Sequence, residues 1–114
     1  MNKKQIAQGD VLLEEVDYIP DGLKIVQDCA GIILAEGEVT GHAHRVKGHS
    51  VLLQAPDGSF YLQPKEPTML EHTKHGTYVP GVNHKPIELK NVTYRIGRIQ
   101  EYDHIEESTR RVAD

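Results

Sequence analysis

Residues His42 to Pro64 read HAHRVKGHSVLLQAPDGSFYLQP. Three short runs, HAHRV, VLLQA and FYLQP, are separated by KGHS and PDGS, and each connection contains a glycine. Short strand-like runs joined this way are the signature of β-hairpins, so the segment predicts two in succession. The same grammar extends in both directions. DVLLEEV (10–16), LKIV (23–26), TMLEH (68–72) and PIEL (86–89) read as further strands. PDG at 20–22 is a turn, because proline presets φ and glycine accepts φ > 0. Ile32-Ile33-Leu34-Ala35 is apolar on both faces, which predicts a central strand buried on two sides.

VTYRIGRIQEY (92–102) is the longest strand pattern. Val92, Tyr94 and Ile96 share one face, and the next apolar residue is Ile99, so a one-residue bulge is expected at Gly97-Arg98. In the tail, Glu106 with Arg110 and Glu107 with Arg111 are spaced four apart in the order that supports a helix. The expected fold is mostly β: about seven to nine strands in a single-domain sandwich or barrel spanning 1–114, with a short C-terminal helical segment.

The chain has 114 residues, enough for one domain with one modest core. Its formal charge of −4 argues against a nucleic-acid footprint, although Arg95, Arg98, Arg110 and Arg111 could form a local patch. No stretch has the roughly 20 apolar residues that span a bilayer. No secretory signal is seen at the start, so the cytoplasm, or a phage particle, is the expected location. Cys29 is the one cysteine, which rules out an intrachain disulfide and argues against a thiolate cage; it reads as a buried thiol.

Seven histidines in so short a chain need an explanation. In a strand, residues i and i+2 point to one face, so His42 and His44 project together about 7 Å apart. Two such imidazoles can converge on a metal ion about 2.0–2.1 Å from each nitrogen. Ala43 between them is small, and Gly41 leaves room for a ligand or a bulge. His72 and His75 in EHTKHG sit at a strand end, where they can fold toward one point. The expected site is therefore His42, His44, His72 and His75 around a divalent transition metal. His84 stands in reserve, and His49 and Glu38 are further candidates. Imidazole does not distinguish Zn, Fe, Ni, Mn and Cu. Because imidazolium cannot coordinate, binding should weaken below about pH 6.

GEVTGHAH (37–44) followed by VPGVNH (79–84) resembles the two metal-binding motifs of the cupin superfamily, over about a third of the chain. That resemblance implies a β-barrel holding a metal through histidines. The glutamate position of the first cupin motif falls on Gly48 or His49 here. A broader likeness runs through QGDVLLEEVDYIPDG, ILAEGEVTGHAHRV, LEHTKH, PIEL and YRIGRIQEYDHIEESTRRVAD. These segments resemble, in order, small uncharacterised proteins of bacteria and their phages. Against that pattern GTYVPGVN reads as an insertion, and the pairing of His42 and His44 with His72 and His75 is implied.

Three functions stay open. One is a metal-binding protein, with or without a small-molecule ligand. Another is a cupin-like metalloenzyme, in which a three-ligand site keeps a position for water or substrate. The third is a bacterial or phage assembly protein that forms a homo-oligomer through strand edges, without a metal.

Overall fold

The computed structural model describes residues 4–9, 11–36 and 41–98. They form ten strands and, among the described residues, no helix. One antiparallel sheet has six strands. In spatial order these are β1 (Gln5–Gln8), β2 (Val11–Val16), β10 (Thr93–Arg98), β7 (Phe60–Pro64), β6 (Ser50–Gln54) and β3 (Lys24–Cys29). The second sheet has four: β4 (Ile32–Glu36), β5 (His42–Val46), β8 (Thr68–Lys74) and β9 (Ile87–Leu89). The two inner faces enclose one apolar core. Ile6, Val11, Leu13, Leu52, Leu62 and Tyr94 come from the large sheet, and Ile32, Ala35, Val46, Leu70 and Leu89 from the small one. The mostly β sandwich expected from the sequence is what forms. The expected helical segment lies outside the described residues.

Of the two expected hairpins, PDGS is one: β6 and β7 pair from Ser50↔Pro64 to Gln54↔Phe60. KGHS is not. β5 pairs with β4 and β8, whereas β6 pairs with β3 and β7. The connection steps between sheets. The Lys47 N–H still donates to Met69 O of the small sheet (2.9 Å), while the His49 carbonyl accepts from the Lys65 N–H, beside β7 of the large one (3.0 Å). A four-residue glycine link can close a hairpin or cross a sandwich, and its residues do not say which.

Ile32–Ala35 is not a central strand. β4 is an edge, its register shifts between Ile33 and Ala35, and Ile33 is 47% exposed. The extra residue lets Ile32 and Ala35, three apart, both face the core. Cys29 is exposed rather than buried, because β3 lies at the sheet edge with all six of its residues exposed. No bulge interrupts Gly97-Arg98. β10 pairs with β2 in unbroken register from Thr93↔Val16 to Arg98↔Val11.

Tyr94 shows how the core handles a polar atom. Its ring is fully buried, and its hydroxyl accepts the Lys90 N–H at 2.9 Å. Burial pushes the phenol pKa above its usual value. Tyr94→Phe removes the acceptor of a partly buried donor, which should cost about 1 kcal/mol. The expected reading is a lower urea midpoint at unchanged m-value.

Candidate functional site

The inner face of the small sheet changes character along its strands. Val46 lies opposite Leu70 in the apolar core. One step along the same face, His44 lies opposite His72, and beyond them His42 lies opposite Lys74. Side chains alternate across a strand, so these pairs share one face. His44 is 2% exposed and His72 8%, so the apolar layer is continued by a buried imidazole layer. The His44 and His72 rings stack with centroids 4.5 Å apart and planes 13° apart. His42 sits diagonally, 5.4 Å from the His72 ring.

A fourth imidazole arrives from the loop between β8 and β9. His84 lies 5.0 Å from the His72 ring and 6.3 Å from that of His44. Its approach is built by a local turn in which the Val82 and Asn83 N–H groups both donate to Val79 O. The Val79 N–H donates in return to Asn83 Oδ1 at 2.7 Å. That bond orients the buried Asn83 amide, so its Nδ2 faces His42 Nδ1 at 3.4 Å and His72 Nδ1 at 3.5 Å. The segment that looked like an insertion is thus what carries His84 and Asn83 to the cluster.

His75 goes elsewhere. It follows β8 with a left-handed φ of 50°, and its N–H donates to Gly41 O at 2.7 Å. Its ring lies where a Gly41 Cβ would be. Of the four expected ligands, the structure gathers His42, His44 and His72, joins His84 to them, and places His75 against Gly41. His49 is on the other sheet's side of the KGHS link, exposed and hydrogen-bonded through Nε2 to Asp28 Oδ1 at 2.5 Å. That bond holds the Asp28 carboxyl below its ordinary pKa. Glu38 lies outside the described residues.

Two hydrogen bonds define what these rings can do. Gln8, at the end of β1, is buried, and its Nε2 donates to Leu70 O and to Lys85 O, both at 2.9 Å. Its Oε1 therefore faces His44 Nδ1 at 2.9 Å and must accept. His44 Nδ1 therefore carries a proton, which it donates to Gln8. His72 is the reverse. Its Nδ1 accepts the His84 N–H at 3.0 Å, which leaves the proton of the neutral ring on Nε2. Gly9 borders the Nε2 edge of His44. A Cβ there would stand 3.0 Å from His44 Nε2 and 3.4 Å from His84 Cδ2.

Among the described residues, no three His, Cys, Asp or Glu side chains are arranged around one point as metal ligands are. The imidazoles are neighbours without being drawn together. Gln8, Gly9 and Asn83 were not legible as site residues. The one sequence signal was the short glycine turn after Gln8, which says where the chain reverses and not what it faces.

Fold and site together define a two-sheet antiparallel β-sandwich with a histidine layer continuing its core. The chain belongs to a family described as a domain of unknown function (DUF8820), whose model matches residues 7–99. No curated protein and no solved structure matches it. Among the described residues, no helix is long and apolar enough to cross a membrane.

Proposed function

We propose that the protein binds a divalent transition metal at the histidine layer, with His44 as the anchoring ligand and His42 and His84 completing the set. The observation that carries this reading is the orientation of His44. A buried histidine whose Nδ1–H is held by an oriented acceptor has the form of a metal ligand supported from behind. Burying polar imidazoles in place of core hydrocarbon costs stability, so a sandwich that does so needs a return for it.

The hydrogen bonds rank the other ligands. His42 meets Asn83 at 3.4 Å, near the limit of a hydrogen bond, so its ring turns at little cost. His84 is exposed and its ring can rotate about χ1 and χ2. His72 spends its Nδ1 on a firm bond to a backbone N–H, so it coordinates only by giving that bond up. It serves first to stack on His44 and to hold the His84 segment. Three ligands leave a position for water or a small molecule, which is the arrangement of catalytic rather than structural sites.

Zn²⁺ titration of tag-free protein at pH 8 tests the reading. One equivalent should bind, and His44→Ala and His84→Ala should each weaken binding at least about tenfold. His75→Ala should bind as the parent does. If neither Zn²⁺ nor Ni²⁺, Cu²⁺, Fe²⁺ or Mn²⁺ binds stoichiometrically, the proposal fails.

A second reading, a homo-oligomeric assembly role, is favoured by β3. This edge strand is exposed at all six positions and carries Ile25 and Val26. Such an edge offers a backbone ladder to another chain. Sedimentation of the protein with and without Zn²⁺ separates the two. A defined oligomer that takes up no metal supports assembly.

A further inference from the structure

The outer face of the large sheet, turned away from the histidine layer, carries a cleft of its own. Leu52, Leu62 and Tyr94 point into the core, so their neighbours Val51, Gln63 and Thr93 point outward. Val51 lies opposite Gln63. The ladder between β10 and β7 runs from Tyr94↔Leu62 to Ile96↔Phe60, whereas β7 continues to Pro64. Beyond Tyr94 the two chains therefore separate, and side chains take over from the ladder. Gln63 Nε2 donates to Thr93 Oγ1 at 3.1 Å, and Asn91 Nδ2 donates to the Pro64 carbonyl at 2.9 Å. The cavity at this parting has a volume of about 300 Å³, the size of a small-molecule site.

Its lining is apolar in one part and rich in donors in another. Val51 is buried and Val92 is exposed, and both offer hydrocarbon. The Thr93 hydroxyl accepts from Gln63 and keeps its own proton to give. If the Gln63 amide is turned over, the hydroxyl donates to Oε1 and the amide N–H groups become the spare donors, so one is left in either case. Lys65 adds an ammonium group. Asp28, opposite Val51 on β3, gives its Oδ1 to His49 at 2.5 Å. Among the described residues, no carboxylate lies within ion-pairing distance of Lys65.

We propose that this cleft binds a small organic anion: a carboxylate on a compact apolar body, with the carboxylate at Lys65 and Thr93 and the body against Val51 and Val92. Each part is needed. Lys65 is exposed, so its attraction alone is modest. The apolar body adds the burial that a bare anion lacks.

The test is a ¹H–¹⁵N correlation spectrum of the protein titrated with benzoate at pH 7.5. No metal is added, so the result is independent of the histidine layer. Benzoate should shift the amides of Val51, Lys65, Val92 and Thr93 saturably, in the millimolar range expected of so small a ligand. Acetate has the carboxylate without the body, and benzyl alcohol the body without the charge. Each should bind at least about fivefold more weakly, and Lys65→Met should weaken benzoate by about fivefold while Lys65→Arg stays near the parent value. Lys65 is exposed, so neither variant endangers the fold. An absence of saturable shifts at these amides overturns the proposal. So does benzyl alcohol binding as tightly as benzoate, or a Lys65→Met variant with the parent's affinity.

Discussion

Gly9→Ala is expected to destabilise the protein by about 2–5 kcal/mol and to abolish metal binding in the molecules that still fold. Two costs combine. Gly9 has φ of 59° in the two-residue link between Gln8 and Val11, which pair across the β1–β2 hairpin. A residue with a Cβ in that left-handed region costs about 1–2 kcal/mol. The new methyl would also stand 2.9 Å from His44 Cε1, closer than carbon atoms pack. His44 is buried, stacked on His72 and bonded to Gln8, so it has no easy retreat. Overpacking of this kind adds about 1–3 kcal/mol. Gly58→Ala is the control. Its φ of 92° imposes a similar backbone cost, but no atom lies within 4 Å of its would-be Cβ. Urea unfolding of both variants isolates the contact. Equal destabilisation would mean that Gly9 matters as a turn residue alone.

Strand periodicity carried the sequence reading a long way, and it failed where pairing partners decide. His42 and His44 sharing a face follows from alternation, but His72 lying opposite His44 is a matter of strand pairing. That pairing does not follow, because β5 and β8 are separated by two strands of the other sheet. The KGHS link and PDGS look alike as strings, but they differ in whether the next strand stays in the sheet or crosses the core. Ile32–Ala35 looked doubly buried because a bulge mimics continuous apolarity: it puts Ile32 and Ala35 inside and leaves Ile33 outside. Cys29 reads as buried because a lone thiol without a basic neighbour has that as its plainest role, and nothing in the sequence of β3 announces an edge.

The site was partly legible for the same reason. Ligand-type residues on regular strands could be placed, whereas the groups that orient them could not. Gln8 reaches its partners across 36, 62 and 77 positions of chain. Asn83 and His84 reach theirs from a loop whose turn is closed by its own side chain. His75 was placed wrongly with respect to the cluster because it lies one residue past the end of β8. There alternation stops, and its positive φ turns it toward Gly41.

Leu70→Ala and Leu62→Ala should each cost about 2–5 kcal/mol, because each removes a fully buried side chain from the same core and leaves a cavity. Their effects on the site should differ sharply. Leu62 is in the middle of the large sheet, opposite Leu52 and Tyr94, and none of its strand partners is a histidine. Leu70 is two residues from His72 on the same face and opposite Val46, and its carbonyl holds the Gln8 amide. A cavity there lies directly beneath the stacked pair of His44 and His72. The rings gain room to settle inward, and β8 can shift enough to lengthen the bond from Gln8. Metal affinity, measured by Zn²⁺ titration under conditions where both variants remain folded, should therefore fall about tenfold or more for Leu70→Ala and stay near the parent value for Leu62→Ala. Equal affinities in the two variants would show that the imidazole layer is held by its own hydrogen bonds and not by the apolar layer below it. Equal losses would show that affinity follows global stability. Only the split expected here ties the site to the packing of one particular side chain.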